Sequence, residues 1–139
     1  MITEKHIAEG RMEICIADNQ TRVRYGLRVL LEQQAGWNVV SEAASANELI
    51  ECVRCDFPDV VLLDWDLPGM PIRALLESLR EAYSEILVIS LSGRNELRQA
   101  ALEAGADAFA SKAEPPDILI RLIGQLMKSE SGIYYEKRK

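Results

Sequence analysis

The stretch VVLLDWDLPGM, Val60 to Met70, is apolar for four residues, meets carboxylates at Asp64 and Asp66, and breaks at Pro68 and Gly69. An unbroken apolar run followed by turn residues reads as a strand covered on both faces. Acidic side chains avoid the interior unless something compensates their charge. A buried strand that delivers a carboxylate to its own end therefore points to a parallel sheet with a polar site along one edge.

The rest of the chain repeats the pattern. Strand-like runs occur at MEICIA (Met12 to Ala17), GWNVVSEA (Gly36 to Ala43), DVVLLD (Asp59 to Asp64), EILVIS (Glu85 to Ser90) and DAFAS (Asp107 to Ser111). Helical periodicity fills the gaps. Thr21 to Ala35 places Val23, Leu27, Leu30 and Leu31 on one face, and Gly36 ends it. Ser45 caps the next helix, with Glu48 three residues on in a capping box and Leu49, Ile50 and Val53 facing inward. Pro58 stops that helix, and Pro71 opens the third at its first turn, with Ile72, Leu75, Leu76 and Leu79 on one side. RNELRQAALEAG (Arg94 to Gly105) predicts a fourth helix packed through Ala100, Ala101 and Ala104. Pro115 and Pro116 start a fifth, to Lys128, carrying Ile118, Leu119, Leu122, Ile123 and Leu126. Ile120 and Met127 fall outside that stripe and predict an exposed interface, with burial against a neighbouring loop as the alternative.

Five strand–helix units with right-handed crossovers predict an α/β, doubly wound, open parallel sheet in the order 2-1-3-4-5. The expected divisions are an extension over residues 1–11, one domain over 12–129, and a tail or linker over 130–139. The chain has 139 residues, 48% of them hydrophobic, and a net charge of −6, which argues against a nucleic-acid-coating surface on this domain. No apolar run approaches the roughly 20 residues of a membrane span, and the start lacks a signal-peptide core, so a cytoplasmic location is expected. The odd number of cysteines, Cys15, Cys52 and Cys55, argues against a disulfide framework. Cys52 and Cys55 form C-x-x-C, but inside a helical pattern rather than at a helix start, which favours a structural role over a redox one. With a single histidine, His6, no zinc site is completed.

Ligands of such sheets bind beyond the carboxyl ends of the strands, where strand order reverses. The first strand leads into Asp18 and Asn19, the third ends in Asp64, the fourth in Ser90 and the fifth near Lys112. The second offers Ser41 and Glu42, as an edge strand away from the site would. Asp18 and Asp64 would approach across neighbouring strands, roughly 5 Å apart at the backbone. Two such carboxylates repel unless a cation intervenes, and a hard divalent ion, magnesium above all, suits oxygen ligands. With the Lys112 ammonium and the Ser90 hydroxyl, these groups predict a phosphoryl-transfer site. Asp64, ending the central strand, is the candidate nucleophile. Asp66 has an equal reading as a turn residue before Pro68-Gly69.

CIADN, PDVVLLDWDLPGM, ILVISLSG and ALEAGADAFASK together resemble the receiver domain of two-component response regulators, over about Met12 to Met127. The resemblance is to the CheY-like fold, and SKAEPP is closest in flavour to LuxR/NarL-type regulators. It implies that Asp64 is the aspartate phosphorylated by a sensor histidine kinase. Asp18 matches one of the acidic pair that binds Mg2+, and the Asp66 backbone carbonyl matches a further metal ligand. Ser90 matches the switch hydroxyl, Phe109 the aromatic switch that turns inward on activation, and Lys112 the lysine that contacts the phosphoryl group. It also implies a switching face on the fourth helix, fifth strand and fifth helix, with a homodimer through it or a helix-turn-helix DNA-binding output domain lying outside these residues. The role is a signalling switch in transcription regulation, not an enzyme with turnover.

Three departures stand out. Asn19 replaces the second acid, which weakens the metal site although an amide oxygen can still coordinate. Ala113 follows Lys112 in place of a common proline, and Pro71-Ile72 replaces a common Asp-Gly. Asn19 keeps a pseudo-receiver, binding partners without phosphorylation, as the main alternative. Asp64-Trp65-Asp66 also resembles the D-x-D start of haloacid-dehalogenase-type phosphatases, although there the motif sits on the first strand.

Overall fold

Five apolar segments pair into one parallel sheet because each can bury both of its faces. The structure is a computed structural model and describes residues 11–130. The strands are β1 (Met12–Ala17), β2 (Trp37–Ala43), β3 (Val60–Asp64), β4 (Leu87–Ser92) and β5 (Ala108–Ser111). The helices are α1 (Thr21–Glu32), α2 (Ala46–Asp56), α3 (Ile72–Ala82), α4 (Arg98–Ala104) and α5 (Pro116–Glu130), with a 3-10 turn at Asn95–Leu97 before α4. Strand order is β2-β1-β3-β4-β5 with every pairing parallel, the predicted doubly wound topology. The expected extension and tail fall almost wholly outside the described residues.

Alternate residues of each strand feed two cores. Cys15, Ala17, Val61, Leu63 and Val88 face α2 and α3, meeting Leu49, Val53, Leu75 and Leu79. Ile14, Ile16, Val60, Leu62 and Ile89 face the other side, meeting Leu31 of α1 and Leu119 and Ile123 of α5. Leu62, Leu63 and Ile89 are fully buried, each contributing about 1.5–3 kcal/mol of transfer free energy.

Local signals hold at α2. The Ser45 side chain accepts the Glu48 amide at 3.3 Å, and Glu48 Oε1 accepts the Ala44 amide at 2.7 Å, one residue before the cap. Elsewhere tertiary packing moved the boundaries. Helix α1 stops at Glu32 rather than Ala35, and Gly36 turns the chain at φ +83°. Pro71 is the extended N-cap of α3 rather than part of its first turn. The fourth helix does not run unbroken from Arg94, since a 3-10 turn precedes a seven-residue α4. Ala101 and Ala104 are its buried residues, while Ala100 is exposed.

Two further expectations change. Strand β4 runs to Ser92 instead of ending at Ser90, because β5 offers Ser111 as a partner two residues further on. Met127 is buried in the core with Leu126, and Ile120 is half-buried, so α5 presents less exposed apolar surface than its sequence predicts.

Candidate functional site

Parallel register brings Ala17 beside Leu63, so the next residue on each strand, Asp18 and Asp64, emerges at the same edge at the reversal of strand order. Both are buried, at 1% and 6% exposure. The Lys112 backbone amide donates to the Ser92 carbonyl at 2.8 Å, setting the start of the loop after β5. From there Lys112 Nζ donates to Asp18 Oδ2 at 2.8 Å and to Asp64 Oδ1 at 3.0 Å. One ammonium thus holds two buried carboxylates, as the opposite charge such a pair requires.

Burial pushes the Asp64 carboxyl above its ordinary value, with nearby Asp18 adding to the shift and the Lys112 hydrogen bond only partly opposing it. Burial works against the Lys112 charge, but hydrogen bonds to Asp18 and Asp64 outweigh it and raise the ammonium pKa. The remaining Asp18 oxygen, Oδ1, accepts the Gln20 amide at 2.9 Å, turning the chain into α1.

Ser90 lies within β4, opposite Leu63 on one side and Phe109 on the other. Its hydroxyl is buried with no hydrogen-bond partner. Phe109 is buried at 3% exposure among Ala101, Ala106, Trp65 and Leu97, linking β5, α4 and the residue after Asp64. The Arg98 guanidinium stacks 4.9 Å from the Phe109 ring centre.

Asn19 is exposed at the rim. The Asp66 side chain points outward to Arg94, 3.1 Å away, linking the loops after β3 and β4. Its carboxylate is therefore engaged at the rim rather than poised over Asp64 as a phosphatase's general acid would be. The Pro68-Gly69 turn is held by a bond from the Ala46 amide to the Pro68 carbonyl at 2.9 Å. Gly69 has φ +124°, and a Cβ there would lie 3.0 Å from the Ala46 Cβ, so glycine lets this loop pack on the start of α2.

Arg24 escaped the reading of the sequence. Its Nη1 donates to the Asp18 carbonyl at 2.6 Å and its Nε to Glu42 Oε1 at 3.0 Å. Arg28 joins Glu42 from the next turn. Burial would raise the Glu42 carboxyl, but bonds from Arg28 and Arg24 outweigh it and lower its pKa. Strand β2 is thus an edge strand that still anchors the turn carrying Asp18. The available signal was the i, i+4 spacing of Arg24 and Arg28 opposite an acid on a neighbouring strand.

A family profile described as the response regulator receiver domain matches residues 14–124. The chain is a response regulator receiver domain. This receiver is 31% identical over 125 residues to the transcriptional activator protein ExaE of Pseudomonas putida, covering 88% of the chain and 58% of that protein. It is 32% identical over 119 residues to the nitrate/nitrite response regulator protein NarL of Escherichia coli strain K12, covering 84% and 55%. The receiver thus spans little more than half the length of these relatives. A two-component response regulator of the LuxR family from Aurantimonas sp. SI85-9A1 matches in structure with a TM-score of 0.79 and 28% identity, covering 86% of each chain. The isolated receiver domain of RcsB from Salmonella enterica serovar Typhimurium, solved with the phosphomimetic BeF3-, matches with a TM-score of 0.76 and 26% identity, covering 85% of this chain and 89% of that one. Receiver domains are signalling modules of two-component systems and typically bind Mg2+ at acidic residues.

The donor atoms here fit such an ion. Asp18 and Asp64 supply buried carboxylate oxygens and no thiolate or imidazole, the set a hard cation prefers. Among the described residues no group of three or more His, Cys, Asp or Glu side chains forms a complete cage. Magnesium is commonly bound through one or two carboxylates and keeps several waters. No helix among the described residues is long and apolar enough to cross a membrane.

Proposed function

We propose that Asp64 accepts a phosphoryl group from the phosphohistidine of a sensor kinase and that Ser90 and Phe109 relay it to the face built from α4, β5 and α5. The observation that carries this reading is the single Lys112 ammonium bridging two buried carboxylates, Asp18 and Asp64, at the reversal of strand order.

An Asp64 oxygen attacks phosphorus in line with the phosphorus–nitrogen bond. That bond breaks, its electron pair stays on the imidazole nitrogen, and solvent supplies the proton that nitrogen takes up. Lys112 remains within reach of the new phosphoryl oxygens and compensates their charge. Asp18, Asp64, Asn19 and the Asp66 backbone carbonyl would hold Mg2+, which would supply further neutralisation of those oxygens. The unsatisfied Ser90 hydroxyl gains an acceptor in the phosphoryl group. Its movement frees space beside Phe109, whose contacts with Ala101 and Trp65 carry the change to α4.

The name of the ExaE relative, a transcriptional activator, supports a role in transcription, with this switch controlling a DNA-binding output domain or a homodimer in the cytoplasm. Asn19 favours one competing reading, a pseudo-receiver that binds partners without being phosphorylated.

Intact mass after incubation with acetyl phosphate and Mg2+ tests the reading. Wild type is expected to gain one phosphoryl group and Asp64→Ala none. An unmodified wild type would favour the pseudo-receiver, and equal modification of both would move the acceptor elsewhere.

A further inference from the structure

The cysteine motif legible in the sequence, Cys52-x-x-Cys55, is not the pair the fold brings together. Cys55 is exposed on α2. Cys15 is completely buried in the core between the sheet and α2 and α3, and Cys52 packs against that same core from α2 while keeping partial access to solvent. The Cys52 sulfur lies 3.7 Å from the Glu42 carbonyl oxygen. Across the β1–β2 ladder Cys15 faces Ser41, and Ile16 faces Glu42. The register therefore sets Cys52 over the step of β2 that adjoins Cys15. Cys15 and Cys52 thus line one core from a strand and a helix, and the Ser41 hydroxyl, across the ladder from Cys15, is buried there with no hydrogen-bond partner.

We propose that Cys15 and Cys52 form a reversible intramolecular disulfide when the protein meets a low-molecular-weight disulfide such as glutathione disulfide. The two residues pack into the same core from a strand and a helix, and the bond would link the strand that leads into Asp18 to α2.

The order of events follows from access and acidity. Cys52 is the sulfur that solvent reaches. The neighbouring Cys15 thiol favours the thiolate and outweighs the opposing effect of burial. That thiolate attacks a sulfur of glutathione disulfide, forming a mixed disulfide and releasing one glutathione thiolate. Cys15 holds its proton more tightly, through the neighbouring Cys52 and its burial, and reacts second. It loses that proton to solvent, attacks the Cys52 sulfur, and expels the second glutathione. Two protein thiols become one disulfide, and two electrons reduce one glutathione disulfide to two glutathiones.

Native-state oxidation followed by intact mass and peptide mapping tests this on the full chain, with Cys15→Ser, Cys52→Ser and Cys55→Ser. Cys55→Ser is expected to lose the mass of two hydrogens, wild type to do so apart from any glutathione carried on the exposed Cys55, and both to yield a peptide linking Cys15 to Cys52 and to recover on reduction. Cys15→Ser is expected to stop at a glutathione adduct on Cys52. A Cys52–Cys55 link, a lasting mixed disulfide on Cys52 in Cys55→Ser, or no loss of hydrogens from Cys55→Ser would overturn the proposal. The wild-type and Cys55→Ser outcomes decide it even if a core serine at position 15 unfolds the protein.

Discussion

Ser90 and Phe109 lie opposite one another on β4 and β5, and the hydroxyl of Ser90 is buried without a hydrogen-bond partner. A buried polar group in that state costs about 1–3 kcal/mol. The unmodified fold tolerates this cost at the position where the proposed phosphoryl group would bring an acceptor.

Replacing Ser90 with alanine should therefore leave the unmodified protein as stable as wild type, or more stable by about 1 kcal/mol. Urea denaturation at neutral pH reads this directly. A clear loss of stability would show that the hydroxyl is already satisfied in the resting state.

Lys112→Met removes the cation shared by Asp18 and Asp64. Breaking a fully buried pair costs about 3–5 kcal/mol. The Lys112 side chain is 32% exposed, so a loss of roughly 1–2 kcal/mol at pH 7 is expected. Because the folded pKa of Lys112 lies above 10.5, its contribution is complete below that pH and fades as pH rises through the folded value. The gap between wild type and Lys112→Met should narrow over that alkaline range.

Asp64 behaves in the opposite sense to a paired surface acid. Its folded pKa is raised above 3.8, so the folded state binds the proton more tightly than the unfolded chain. Stability then falls as pH rises from 3.8 through the raised value, and the ionised carboxylate is a net cost at neutrality. Asp64→Asn should be more stable than wild type at pH 7 by chemical denaturation. That advantage should vanish below pH 3.8, where both forms are neutral.

Gly69→Ala should destabilise by about 1–3 kcal/mol, since alanine is strained at such a positive φ. Its Cβ would also press on Ala46 at 3.0 Å. A lowered urea midpoint with an unchanged slope is the expected signature.

Helix α4 has seven residues, of which only two alanines are buried. Little apolar area holds it, so its amides should exchange with deuterium faster than those of α2 and α3. Hydrogen-exchange mass spectrometry measures this, and slow exchange in α4 would remove the physical basis for an easily shifted switch face.

The order of the elements was legible because it depends on local chemistry. Unbroken apolar runs at β3 and β4, the Ser45–Glu48 cap and the Pro68-Gly69 turn each announce themselves within a few residues. The placing of Asp18, Asp64 and Lys112 at one edge followed from the same reading, since a parallel sheet aligns the carboxyl ends of its strands. What the sequence left open were contacts set by register and helix rotation. Ser90 looked like a strand end and lies inside β4, because strand length depends on what β5 offers beside it. Met127 looked exposed and is buried, because the rotation of α5 over the sheet decides which residues face inward. Arg24 reaches Asp18 and Glu42, and Cys52 packs on the core that holds Cys15 while Cys55 faces solvent, for the same reason: side chains are brought together across separate segments only once the sheet has fixed their distance and direction.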